Sequence, residues 1–169
     1  EGTIKNTTQH TVITPVKPGI SFKGKINFEN LSEIELGVLL FVLDLDKELF
    51  HKLGMAKPLG LGSIKIKPIL KLTDRTTKCG RYTTLFENDT WNESFDVVKP
   101  DQYKQKFEKF ILKSLKQEKE SLWELPRMRE LKAMLNWNNT KKNNWNAKTE
   151  YLLLSEFTKR KVLPYPTEL

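Results

Sequence analysis

Apolar and polar positions alternate from Ser21 to Asn30, in the sequence "SFKGKINFEN". One face of this segment carries Phe22, Gly24, Ile26 and Phe28. The other face carries Lys23, Lys25 and Asn27. A period of two residues predicts a strand that is buried on one side, and the outer side of this strand is basic.

The period then changes to that of a helix and back to that of a strand. Ser32 and Glu35 have the S-x-x-E spacing of a capping box, and leucines at helical spacing follow them: Leu36, Leu39, Leu40 and Leu43. From Ser63 the alternation returns, with one face formed by Ile64, Ile66, Leu70 and Leu72. Strand, helix, loop and strand make half of a β-α-β-β-α-β unit. Residues 1–75 are therefore predicted to form part of an α+β, ferredoxin-like (RRM-like) fold.

Residues 76–169 indicate a mixed, mainly helical extension packed on this first part. A stripe of Tyr103, Phe107 and Leu115 predicts a helix from Asp101, and Pro126 suits the first turn of a second helix. The segment "RYTTLF" is a candidate short strand, and "EYLLLSEF" is apolar but of uncertain type. The Asn-rich segment "NWNNTKKNNWN" is predicted to be a loop. Its tryptophans and lysines either bind unpaired bases and phosphates or anchor the loop against the helices. They are Trp137, Lys141, Lys142 and Trp145.

Charge adds the first indication of a partner. The 169 residues carry a formal net charge of +8 at pH 7, which favours a polyanion, with nucleic acid ahead of an anionic membrane. The longest apolar run, Leu36 to Leu43, is far shorter than the ~20 residues of a membrane span. A single cysteine, Cys79, excludes an intramolecular disulfide, and no signal peptide opens the chain, so a cytoplasmic location is expected. The first residue is Glu rather than Met, which suggests a fragment of a longer protein.

The stretch "HKLGMAKPLGLGSIKIKP", His51 to Pro68, contains three glycines ahead of a predicted strand. It lacks the Gly-Lys-Ser/Thr of a nucleotide-binding P-loop. It also has Lys65 where a dinucleotide fingerprint needs a third glycine, and a strand follows instead of a helix. Two interpretations remain open. The loop is either a tight structural connection or a turn whose bare backbone and lysines approach a phosphodiester chain.

Two motifs in this part of the chain carry a family resemblance. The first is an F-x-G-x-I-x-F strand followed by a helix with an E-L-G core: Phe22, Gly24, Ile26, Phe28, Glu35, Leu36 and Gly37. The second is K-x-G-x-x-K-P-x-G-x-G-S: Lys52, Gly54, Lys57, Pro58, Gly60, Gly62 and Ser63. Together they resemble the RAMP superfamily of CRISPR-associated proteins, in particular the backbone-forming subunits of type III effector complexes. The resemblance covers roughly residues 17–72 and is loose elsewhere.

The resemblance implies a ferredoxin-like RAMP fold and binding to the backbone of a CRISPR guide RNA in antiviral defence, with target RNA as a second candidate partner. It also implies assembly with other effector subunits, and that this chain is the C-terminal portion of a larger subunit. Backbone amides of Gly60, Leu61 and Gly62 are expected to contact RNA phosphates together with lysines. The full set of candidate RNA-binding residues is Lys52, Gly54, Lys57, Gly60, Leu61, Gly62, Ser63, Lys65 and Lys67.

Catalysis and metal binding have weaker support in the sequence. His51 is a candidate general acid or base for a metal-independent guide-processing endoribonuclease, but it lacks a partner, and a lone histidine near a helix end is usually a cap. Asp44, Asp46 and Glu48 could hold Mg²⁺, although such a cluster more often lies in solvent. We expect no cofactor, no metal and no catalytic activity in this chain. A third hypothesis is a protein-interaction module, in which the helical part docks a neighbouring subunit.

Overall fold

A computed structural model describes residues 12–57, 60–73, 86–87, 90–91, 96–141, 148 and 153–168. The α-helices whose bounds the structure gives are α1 (Glu33–Leu43), α2 (Asp101–Ser114), α3 (Pro126–Leu135) and α4 (Leu154–Thr158). Short 3₁₀ segments span Leu122–Glu124, Trp137–Lys141 and Pro166–Glu168. The strands are β1 (His51–Lys52), β2 (Ser63–Ile64), β3 (Leu70–Leu72), β4 (Phe86–Glu87), β5 (Thr90–Trp91) and β6 (Asp96–Val98).

Helix α1 begins as the sequence predicts. The Ser32 hydroxyl accepts a hydrogen bond from the amide of Glu35, and the Glu35 carboxylate accepts from the Ser32 amide at 2.8 Å. Hydrogen bonds donated to the Glu35 carboxylate by the Ser32 amide and the Ser32 hydroxyl hold the pKa of Glu35 below its ordinary value. The capping box is confirmed, and so are the helices predicted from Asp101 and Pro126.

The described strands form three separate antiparallel pairs: β1 with β2, β3 with β6, and β4 with β5. Leu70 lies opposite Val98 and Leu72 opposite Asp96, so the sequence beyond residue 76 pairs with the first part of the chain. Helices and strands are thus mixed as expected, while the ferredoxin-like sheet stays a prediction. The strand predicted from Ser63 is divided into β2 and β3 by five residues without regular structure.

The prediction of a strand at Ser21 to Asn30 is wrong for this structure. These residues have no regular secondary structure, and Phe22 and Ile26 are exposed. A strand requires a hydrogen-bonded neighbour, and no described segment pairs with this one. Phe28 alone packs against the core.

The core lies where α1 meets β3 and α2. Leu36, Leu40 and Leu70 form its centre, and Tyr103 packs against it. Gly37 allows the two helices to approach closely, because a Cβ at this position would meet the carbonyl of Tyr103 and lie 2.8 Å from the Phe107 Cβ. Each residue of the E-L-G motif therefore has a structural role: Glu35 in the helix cap, Leu36 in the core and Gly37 in the contact between α1 and α2.

A second buried centre fixes the segment after α1. Leu49 is fully buried, and the backbone around it is bonded to the end of α3. The Phe50 amide donates to the Leu135 carbonyl at 3.0 Å, and the Trp137 amide donates to the Glu48 carbonyl at 2.9 Å. These hydrogen bonds hold the segment just before β1 against the end of α3.

Candidate nucleic-acid interface

The glycine-rich stretch forms a hairpin. His51 pairs with Ile64 and Lys52 with Ser63, and the Leu53 amide then donates to the Gly62 carbonyl at 2.9 Å. The loop between these strands contains Gly54, Ala56, Lys57 and Gly60, while residues 58 and 59, including Pro58 of the motif, lie outside the described residues. The hairpin-like turn predicted from the sequence is confirmed.

The three glycines of the hairpin serve different purposes. Gly62 has a φ of +70°, and a Cβ there would collide with the carbonyl oxygen of Leu53 and lie 3.0 Å from its carbon. Gly54 and Gly60 also have positive φ, +87° and +86°, but no atom lies within 4 Å of the place a Cβ would occupy. The fold therefore requires Gly62 for close packing, whereas Gly54 and Gly60 leave open space beside the backbone.

Two amides that were expected to bind phosphates are engaged within the loop. The Gly60 amide donates to the Lys57 carbonyl at 3.0 Å, and the Leu61 amide donates to the Ala56 carbonyl at 3.3 Å. Such bonds shape the loop and occupy both donors. In this conformation the contact with phosphates would therefore depend on side chains rather than on these amides.

Of the four candidate RNA-binding lysines, two donate hydrogen bonds within the protein and two are exposed. The Lys65 ammonium donates to the carbonyls of Leu45 at 2.7 Å, Leu49 at 3.1 Å and Asp46, and it lies 5.8 Å from the centre of the Phe50 ring. The Lys52 ammonium donates to the Ser63 hydroxyl at 2.6 Å across the hairpin.

Lys57 and Lys67 complete the set of lysines, and both are exposed. Lys57 lies in the loop next to the open glycines, and Lys67 follows β2. An exposed ammonium keeps its donors available to a phosphate oxygen, and only these two of the four lysines are fully on the surface. Sequence spacing could not separate the pairs, because the Lys65 contacts join residues 16 to 20 positions apart.

His51 caps the end of α1. Its Nε2 lies 3.2 Å from the carbonyl oxygen of Leu43, the last residue of the helix. The last carbonyls of a helix lack partners within the helix, so an imidazole N–H there satisfies one of them. This contact favours the structural interpretation of His51 over a role in proton transfer.

The acidic residues after α1 are paired with lysines of other helices. Asp44 accepts from the Lys104 ammonium at 2.7 Å, and Asp46 lies 3.8 Å from the Lys132 ammonium. Partial burial would lower the pKa of Lys104, but hydrogen bonds and attraction from Asp44 and Asp101 outweigh it and raise this pKa. Among the described residues, no group of three acidic, His or Cys side chains is arranged to hold a metal ion.

A shallow depression of about 220 Å³ lies next to this ion pair. Its walls include the Phe41 and Trp123 rings, which stack with their centres 5.3 Å apart. Its lining includes the negative side chains of Asp44 and Glu108 and the positive side chain of Lys104. It offers no concentration of positive charge for an RNA phosphate.

Part of the Asn-rich segment is described. Trp137 begins a 3₁₀ segment. The centre of its ring lies 5.5 Å from the centre of the Phe50 ring, the same ring that the Lys65 ammonium approaches. Trp137 remains 40% exposed, so the contact with the Phe50 ring anchors it without burying it. Lys142 and Trp145 lie outside the described residues.

Comparison with known proteins gives no relative for this chain. No protein-family model, no curated protein and no solved structure matches it. In the part of the chain that the structure describes, every helix is too short or too polar to cross a membrane.

Proposed function

We propose that this chain is an RNA-binding subunit of a type III CRISPR effector complex of the RAMP superfamily, and that it holds the sugar-phosphate backbone of the guide RNA. The proposal rests on the motif resemblance and on one structural observation. Lys57 is exposed in the hairpin loop, where Gly54 and Gly60 leave open space beside the backbone, and Lys67 is exposed three residues after β2. A net charge of +8 supports a polyanionic partner.

The arrangement suits backbone contacts rather than base recognition. A phosphate contact needs a positive donor and room for the chain to approach, and it carries no sequence information. Recognition of RNA bases instead uses aromatic stacking and hydrogen bonds to base edges. The described part of the hairpin loop supplies lysine and glycine without an aromatic side chain. The expected interaction is therefore sequence-independent and sensitive to salt.

The test is fluorescence anisotropy of a labelled single-stranded RNA of ~30 nucleotides, titrated with the 169-residue chain at several salt concentrations. The variant is Lys57→Gln/Lys67→Gln. The matched control is Lys109→Gln/Lys113→Gln, which removes the same charge from exposed positions of α2. For single strands the slope of log affinity against log salt is about −0.7 per phosphate contact, so losing two contacts should flatten the slope by about 1.4.

The proposal predicts that the hairpin variant binds RNA more weakly and with a flatter salt slope than the α2 control. Equal loss in both variants would mean diffuse attraction to a basic protein, and would overturn the assignment to the hairpin. An absence of RNA binding by the folded chain would favour the protein-interaction hypothesis.

The interaction hypothesis has its own support. Residues 12–31 include seven large apolar side chains that are exposed, namely Val12, Ile13, Val16, Ile20, Phe22, Ile26 and Leu31. The endoribonuclease hypothesis is less favoured, because the His51 ring is bonded to the end of α1. RNA cleavage in the same titration, lost on His51→Ala, would restore it.

A further inference from the structure

We propose that the outer face of the β3–β6 pair is a second contact surface for the same single-stranded RNA. On this face Lys99 binds a phosphate, and Ile69 and Val97 lie against riboses or bases. The inference rests on the proposed function, because it extends the path of an RNA that already contacts the hairpin. Exposed Lys67 lies three residues before β3 and connects the two surfaces.

The outer face is defined by exposed residues that alternate with covered ones along both strands. In residues 67–72 every second side chain is exposed, and those between are buried or half-buried. The same alternation runs through residues 97–100. Leu70, Leu72 and Val98 are on the covered side and belong to the core. The outer face therefore consists of Ile69, Lys71, Val97 and Lys99.

The strand register places apolar and basic side chains next to each other on this face. Lys71 lies opposite Val97, and the same register continued by one residue brings Ile69 opposite Lys99. Ile69 and Val97 are then diagonal neighbours, which lie about 7–8 Å apart in antiparallel strands, so one ribose or base can contact both. Ile69 is 75% exposed and Val97 is 71% exposed, although the outer face of a half-buried antiparallel pair is usually polar.

The charges of the outer face favour a polyanion. Both of its ionisable side chains are lysines, and Lys71 also has an interaction within the protein, so the phosphate contact is assigned to Lys99. Two acidic residues border the face. Alternation places Asp96 on the other side of β6, and Asp101 lies 3.2 Å from the Lys104 ammonium, which offsets its charge. A basic surface without an aromatic ring suits contacts to the RNA backbone that do not depend on sequence.

The first test adds a lysine variant to the RNA titrations at several salt concentrations. Lys99→Gln should flatten the slope of log affinity against log salt by about 0.7, the loss of one phosphate contact. The matched control is Lys113→Gln, which removes the same charge in the last turn of α2 and should change the slope much less. Lys57→Gln/Lys67→Gln/Lys99→Gln should flatten the slope by about 2.1, because the contacts of the two surfaces add.

The second test removes the apolar part of the face with Ile69→Thr/Val97→Thr. Threonine keeps the branched shape that strands favour but makes both side chains polar. RNA affinity should fall by about fivefold at every salt concentration with an unchanged slope, because apolar contact releases no counterions. The control is Val16→Thr/Val162→Thr, which alters two exposed valines outside the strand pair and should bind RNA as the wild type does.

The outcomes separate this inference from the proposed function. RNA binding that depends on Lys57 and Lys67 but not on Lys99, Ile69 or Val97 would overturn the second surface and leave the proposed function intact. Weaker binding in the outer-face variants alone would support the second surface and overturn the contact at the hairpin. A folded chain that binds no RNA would overturn both. Variants are compared at equal urea midpoints of unfolding, so that a loss of affinity reports the surface and not the fold.

Discussion

The Lys65 ammonium lies 2.7 Å from the carbonyl oxygen of Leu45, twenty residues earlier in the chain. It also donates to the carbonyls of Asp46 and Leu49, so one side chain satisfies three acceptors in the segment between α1 and β1. A side chain engaged in this way positions the hairpin relative to the helices. Among the candidate RNA-binding lysines, Lys65 therefore has a role that Lys57 does not share.

Lys65→Met should lower the free energy of unfolding by about 2 kcal/mol, because hydrogen bonds from a charged donor contribute about that much. Lys57→Gln should leave stability nearly unchanged. The salt dependence of RNA binding should show the reverse: its slope should flatten by about 0.7 for Lys57→Gln and stay as in wild type for Lys65→Met. Urea unfolding and anisotropy measure the two quantities. A flatter salt slope in a folded Lys65→Met protein would contradict the structural role.

The hairpin glycines differ in what a methyl group would meet. Gly54→Ala should cost about 1 kcal/mol, the usual penalty for a left-handed backbone conformation with open space around it. Gly62→Ala should cost about 3 kcal/mol, because its methyl group also collides with the Leu53 carbonyl. Urea denaturation of both variants gives the comparison. Equal losses of stability would mean that the hairpin shifts freely to accept the Gly62 methyl group.

Local patterns predicted the helices well. The capping box at Ser32, the stripe from Tyr103 and Pro126 at a first turn are each determined by residues within one or two helical turns. Such signals depend little on the rest of the fold. The hairpin at the glycine stretch was also predictable, because positive φ values favour glycine.

Partners distant in sequence were not predictable. Alternation at Phe22 to Phe28 describes a segment able to form a strand, but pairing also needs a neighbour, and the described structure provides none. Lys65 lies on the polar face by alternation, yet its long flexible side chain turns back to carbonyls of an earlier segment. Nothing in the local sequence indicates that the amides of Gly60 and Leu61 donate to carbonyls within the loop and are thereby withdrawn from phosphates.

Gly37→Ala tests the close contact between α1 and α2. Inside an exposed helix this change would stabilise by about 1 kcal/mol. Here the new methyl group would meet the Tyr103 carbonyl and the Phe107 Cβ, so the helices must separate, and the net loss should be about 2 kcal/mol. Val38→Ala, on a more exposed side of the same helix, should change stability much less. Thermal denaturation followed by circular dichroism compares them, and a more stable Gly37→Ala protein would show that the helices adjust without cost.

The capping box makes α1 sensitive to acid. Hydrogen bonds from the Ser32 amide and hydroxyl stabilise the Glu35 carboxylate and hold its pKa below the ordinary value. A group whose pKa is lower in the folded state stabilises the fold above its unfolded pKa, about 4.3 for glutamate, and this contribution is lost as the pH falls through the folded value. Glu35→Gln keeps an acceptor for the Ser32 amide but removes the titration.

Urea unfolding at a series of pH values between 7 and 3 compares wild type with Glu35→Gln. The difference in unfolding free energy between the two proteins should be constant near neutral pH and should shift in favour of Glu35→Gln below about pH 4. If the Glu35→Gln difference is independent of pH, the carboxylate does not stabilise the start of α1 in solution.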